Sequence, residues 1–377
     1  MLSWQIELKE TSKSMAAKKS PLYDALRSKS VVFDRLELAE LLKKVDRDRV
    51  ERLSEALSAY VFTNVQESIT KRNGLAGYRA NPYVVMTSAS VMQLNEIASF
   101  ASFLFNSKLY AGLETSFGKS IESQVVGQYP AGAELAQQWA TPKEKAVESD
   151  GLRGMSRQAK AQARRESIWR EIDQACVVGD RRYMVSIKSG PSCINDTQVA
   201  AMHQAIVKRH RQWFNSSIKE YAGITSLDIV IGITYGTDVT TNNKENQILA
   251  KLLGDGFEEE DAKRFPGVLI DSETRQVRIR RFVGRDFWSF IGKPDAPTEA
   301  PHVFLEVLLS LALALSSDER QKTMESAVRT KLAELATAIS RLTFPEASLP
   351  VWARGRLTEN ELVWLTSALS AFYDEGI

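Results

Sequence analysis

Residues 227–235 read LDIVIGITY, a β-branched run nearly free of charge. Such a run belongs in a strand whose two faces are both covered, so it predicts a buried strand. Its surroundings supply the rest of a sheet. Upstream, Ile172, Ala175, Val177 and Val178 precede Gly179-Asp180, and Tyr183, Met184, Val185 and Ile187 follow it. Two short apolar runs around a Gly-x pair predict a hairpin closed by a type II′ turn. Asn195 to Tyr221 is a helix-length segment, and Gln276 to Val283 alternates apolar residues with arginines as a further strand. A hairpin, a crossover helix and a buried strand with helices around them make an α/β core carrying helical additions.

The additions lie at both ends. An amphipathic pattern runs through Leu41, Leu42, Leu53, Leu57, Tyr60 and Val61, and further helical stretches cover roughly 85–109 and 117–126. Residues 140–168 are strongly charged and read as an exposed connection into a basic helix with Arg157, Lys160, Arg164 and Arg165. The last third returns to helix and ends in one opened by the capping box Thr358-x-x-Glu361. The apolar stretch 303–315 is too short to span a bilayer and reads as a buried helix. With Trp4, Glu7 and Glu10, the N-terminus lacks the apolar run of a signal peptide, so a soluble, cytoplasmic protein is expected. Two cysteines make no disulfide framework, and no paired His/Cys spacing suggests zinc. The net charge of +2 requires any nucleic-acid surface to come from local clustering.

The hairpin concentrates the chemistry. With Gly179 and Asp180 at the turn, Asp173 falls opposite Ser186 and Glu171 opposite Lys188. Side chains alternate along a strand, so these four share one face while Tyr183, Val185 and Ile187 pack on the other. Mg²⁺ takes oxygen ligands, one or two of them carboxylates, with water and phosphate completing the octahedron. Asp173 is the expected anchor and the Ile187 carbonyl a second ligand; Lys188 would orient a water and stabilise developing charge. An ordinary solvated face with a Glu171–Lys188 ion pair accounts for the same residues.

These residues also carry a resemblance. Asp173, then Ser186-Ile187-Lys188 after the turn, resembles the signature of PD-(D/E)XK nucleases, with Ser in place of the second acid. Lys188-Ser189-Gly190-Pro191 with Ile194-Asn195, and Gly284-Arg285-Asp286-Phe287-Trp288, are similar to segments of type II restriction endonucleases. Phe117 to Glu122 resembles the first core helix of that superfamily, whose Glu faces the metal. The matches span roughly residues 112–292. The resemblance implies a PD-(D/E)XK core, a mixed central sheet flanked by helices, over 111–295, between a helical region at 1–110 and another at 296–377. It further implies Mg²⁺-dependent cutting of double-stranded DNA at a short palindromic site, an interrupted GC-rich one among the options. A homodimer and a cognate methyltransferase in the same system follow from that activity. Repair or mobile-element defence by a related nuclease, and a non-cutting DNA-binding relative, are the alternatives. The charge that Ser186 cannot supply has three candidate sources, Glu122, Glu171 and Asp196, of which Glu122 is favoured as a metal ligand.

Two polar segments are candidates for base contact: Asn195 with Asp196, and the amide-rich run containing Asn243 and Lys244. Each reads equally as a plain surface loop. Gly112 to Ser120 misses the spacing of a phosphate-binding loop by one residue and reads better as helix.

Overall fold

The computed structural model describes residues 36–129, 138–190, 192–260, 267–272, 275–316, 318–342 and 346–373. The chain divides into two units, 1–44 and 45–377. The first contributes helix α1 (Leu36–Leu42). The second opens with α2 (Arg47–Tyr60), α3 (Gln66–Thr70), α4 (Pro82–Val91) and α5 (Ile97–Ser120), followed by α6 (Lys143–Gly151) and α7 (Arg157–Glu166). Gly112 to Ser120 is thus the last part of a long helix, not a phosphate loop.

The hairpin forms in the predicted register. Strand β1 (Gln174–Val178) pairs antiparallel with β2 (Arg181–Lys188), from Gln174 opposite Val185 to Val178 opposite Arg181. Gly179 has φ of 60° and Asp180 does not share the left-handed region, which is the type II′ pattern. Helix α8 (Asp196–Glu220) crosses over to β3 (Ser226–Ile233), parallel to β2. Helix α9 (Lys244–Gly254) and strands β4 (Glu258–Glu260) and β5 (Gly267–Ser272) lead to β6 (Arg275–Val283), parallel to β3 on its other edge. The sheet order is β1-β2-β3-β6-β5-β4. Helices α10 (Arg285–Gly292), α11 (Val303–Ala314), α12 (Asp318–Ser340) and α13 (Glu359–Leu369) complete the chain.

Every residue of β3 is buried, as its nearly uncharged sequence requires, and its one acid, Asp228, is paired with Arg181 and Arg278. Leu227, Ile229, Ile231 and Ile233 join Met184 and Ile279 in a layer covered by α8 and α9, through Val199, Met202, Ile206, Trp213, Ile248 and Leu252. Val230 faces the other way, with Tyr183, Val185 and Phe282 against Phe287, Phe290 and Ile291 of α10. The protein is therefore a mixed central sheet with helices on both faces. A third core unites the two ends of the chain: Val61, Val65, Phe100 and Leu104 pack with Leu335, Ile339 and Trp364. Helix α11 is only half covered. Its sequence predicts a buried helix, but Leu308 and Leu313 are exposed while Val303, Leu305 and Glu306 point inward. Among the described residues no helix is long and apolar enough to cross a membrane.

Candidate active site at the carboxyl end of the parallel strands

Strands β2, β3 and β6 run parallel and end at Lys188, Ile233 and Val283. Beyond each of these ends a helix begins: α8 at Asp196, α9 at Lys244 and α10 at Arg285. Open α/β sheets bind ligands outside this carboxyl edge, where loops and helix N-termini gather. Because β1 is antiparallel, the residue preceding it, Asp173, lies at the same edge.

Asp173 is held against β2 by two bonds. Its N–H donates to the Val185 carbonyl at 2.8 Å, and its Oδ2 accepts the Ile187 N–H at 2.7 Å. In a strand the N–H and C=O of one residue point to the same edge. The Ile187 carbonyl therefore projects on the side of Asp173, beyond the last pair that β1 makes. Lys188 turns the other way along the backbone, its carbonyl accepting the Thr234 N–H at 3.0 Å. Thr234 also donates its hydroxyl to the Ser189 carbonyl at 3.1 Å, while its own carbonyl accepts the Trp288 indole N–H at 2.8 Å. The segment containing Gly284 to Trp288 thus fixes the strand end that presents Lys188.

The expected polar face is different in kind. Ser186 lies on the side of Arg182 and Met184, where Arg182 donates to Ser217 of α8 at 3.3 Å. Ser186 is fully buried there, and among the described residues its Oγ has no hydrogen-bond partner. The face is a covered layer rather than a solvated one because α8 lies over it. Glu171 pairs with Arg170 at 3.2 Å, not with Lys188. The cation that approaches the acid is Lys145 of α6, its Nζ 3.6 Å from Asp173 Oδ1 and 2.5 Å from the Ile172 carbonyl that it donates to. Sequence reasoning missed Lys145, since nothing in the charged stretch around it sets one lysine apart.

Glu122 stands in a widened turn, Ile121–Val125, at the end of α5, and is half-buried. The helix reaches the site's edge one turn earlier, where Gly118 lies so close to Ser189 that an added Cβ would come within 2.8 Å of the serine Cβ. Ile121, beside Glu122, and Ile187 pack on the same apolar cluster. Among the described residues no three His, Cys, Asp or Glu side chains gather as a metal-binding group. The donors assembled at Asp173 are one carboxylate and the Ile187 carbonyl, the smaller of the sets that Mg²⁺ accepts when water and phosphate fill its remaining positions. These donors fit a weakly held hard cation.

The four candidate DNA contacts cluster at this edge with their polar groups partly engaged. The Asn195 side chain accepts the Gln198 N–H at 2.9 Å, closing a capping box at the start of α8. Asp196 Oδ1 is 2.5 Å from Lys244 Nζ, and the hydrogen bond and charge of Lys244 hold its carboxyl below the usual range. Asn242 donates to the Ile194 carbonyl at 2.6 Å, and Asn243 adopts the left-handed region with φ of 61°. Arg281 reaches Asp238 at 2.6 Å. These bonds staple the segment 236–244 to the segment after Lys188 and to β6. Sequence reasoning also missed Glu245, wholly buried at the start of α9; its Oε1 accepts the Thr241 hydroxyl at 2.9 Å, and among the described residues its Oε2 has no partner. Pro191, within the run after Lys188, lies outside the described residues. The chain matches no family model and no curated protein sequence.

Proposed function

We propose that the protein is a Mg²⁺-dependent DNA endonuclease of the PD-(D/E)XK type, acting as a type II restriction enzyme at a short palindromic site. The observation that carries this reading is the bond from the Ile187 N–H to Asp173 Oδ2. It brings a carboxylate against the Ile187 peptide, the residue next to Lys188, at the carboxyl edge of the sheet. Asp173 and Ile187 would hold the cation, with Glu122 as the further acid. When bound, the ion polarises a phosphodiester and makes bound water more acidic. Lys188, with its backbone fixed by Thr234, positions the attacking water and donates to the phosphate oxygens as charge builds on them. Attack forms the new P–O bond, and the sugar oxygen on the opposite side of phosphorus leaves. A palindromic site calls for a two-fold dimer, one strand cut by each subunit. Host protection by a cognate methyltransferase belongs to the same reading.

A second reading, a DNA-binding relative that does not cut, is favoured by the enclosure of Ser186 and the approach of Lys145 to Asp173. Plasmid DNA incubated with the protein and Mg²⁺ separates the two. Discrete fragments are expected, with Asp173→Asn and Lys188→Ala each lowering the rate by on the order of 100-fold or more while duplex binding persists. Unimpaired cutting by both variants would remove the assignment of this site. Binding without cutting by the wild type would establish the second reading.

A further inference from the structure

Helix α7 has no buried residue, and Ser156 caps its start. Its only apolar residues are three alanines, Ala159, Ala161 and Ala163, so it offers the body little apolar surface to pack on. Its four cations, Arg157, Lys160, Arg164 and Arg165, form no ion pair among the described residues, whereas α12 balances Arg329 with Glu325 one turn away at 2.7 Å. Its C-terminal end is bonded to the body. There Arg209 of α8 donates to the carbonyls of Glu166 and Ser167, a favourable partner for a helix C-terminus.

Two hollows adjoin this end. One, of about 200 Å³, lies between α7 and α8 and is lined by Arg165, Arg170, Lys208 and Arg209. The other, of about 680 Å³, lies between α6 and α7 and includes Lys145, Arg164, Arg165 and Arg170. Arg165 and Arg170 line both, so the hollows adjoin, and Lys145 brings the larger one to within an ion pair of Asp173. Six basic side chains here face three acidic ones, Glu148, Glu166 and Glu171, an excess larger than the net +2 of the whole chain.

We infer that this basic surface is where the protein grips the phosphate backbone of duplex DNA, with α7 lying along the strand that leads into the Asp173 site. The inference rests on the nuclease reading for its substrate and adds the residues that hold it: Arg164, Arg165 and Lys208, all exposed and without an ion pair among the described residues. Contacts of this kind give affinity without sequence preference and release counterions on binding.

The test is duplex binding by fluorescence anisotropy in Ca²⁺ across a salt series, comparing the wild type, Asp173→Asn and the triple variant Arg164→Gln, Arg165→Gln, Lys208→Gln. The triple variant is expected to flatten the dependence of log affinity on log salt by about 2 to 3, and to bind at least about tenfold more weakly at low salt. Asp173→Asn is expected to keep the wild-type slope. A triple variant with wild-type slope overturns the inference while leaving the nuclease reading intact. Wild-type protein that binds through this surface but never cuts leaves the inference standing and removes the catalytic reading. Absence of duplex binding overturns both. The substituted side chains are exposed, and an unchanged melting curve will separate lost contacts from lost fold.

Discussion

The Ser186 hydroxyl sits in a closed layer with no partner for its oxygen among the described residues. A buried polar group in that state costs roughly 1–3 kcal/mol relative to one that is satisfied. Ser186→Ala is therefore expected to match the wild type in urea unfolding or exceed it by up to about 2 kcal/mol, with cutting retained. A loss beyond about 1 kcal/mol would show that the hydroxyl has a partner after all. The same enclosure explains the residue type. A carboxylate at this position would be buried uncompensated beneath α8, which is far more costly than a hydroxyl. In the proposed nuclease the second acid must then come from elsewhere, and the alternative of an ordinary solvated face does not hold at Ser186, because α8 covers it. Strand alternation specifies which side a residue takes, but not what covers that side.

At the level of elements, the hairpin was the most legible part of the chain. Gly179 fixed the turn, the turn fixed the register, and the register placed Asp173 beside the end of β2. Helix α8 was equally legible, since Asn195 caps it and Tyr221 ends it. Strands β4 and β5 were not, because Glu258–Glu260 carries no apolar alternation and gains its strand form only from pairing with β5. Lys145 and Glu245 escaped for a related reason: their surroundings are set by the packing of α6 and α9, which no local pattern encodes. Gly284 joins the two levels. It has φ of 55° and ψ of −117°, and an added Cβ would lie 2.1 Å from the Gly236 carbonyl oxygen. Its N–H also donates to the Ile233 carbonyl at 2.8 Å, so it ties the exits of β3 and β6 together. Gly284→Ala combines a Gly-only conformation with a backbone clash, and a loss above about 3 kcal/mol is expected in chemical unfolding. A variant of wild-type stability would show that the two exits can separate without cost.

Across the whole molecule, the carboxylate of Glu306 on α11 joins segments far apart in sequence. It is wholly buried, and its oxygens accept the Asp46 N–H at 2.9 Å, the Tyr129 hydroxyl at 3.0 Å and the Arg49 guanidinium at 3.2 Å. The start of α2, the chain beyond α5 and the C-terminal helices thereby meet at one charge, below the α10 layer that supports the sheet. Burial, followed by the neighbouring Glu306 charge, pushes the Tyr129 phenol well above its usual range, so it remains a donor. Removing one member of such a group strands the others. Glu306→Ala should cost about 3–5 kcal/mol, because Arg49 would keep its charge in a partly buried position with its main partner gone. Glu306→Gln keeps an acceptor for the Asp46 N–H and the Tyr129 hydroxyl and loses the charge facing Arg49 and His302, so it should cost less. Adding Arg49→Ala to each variant completes the comparison. The double variant with Glu306→Ala should lose less than the sum of its single losses, by about 1 kcal/mol or more if the ion pair carries the coupling. Additive losses would instead assign the stability to the packing of α11, with the charge a passenger in that contact.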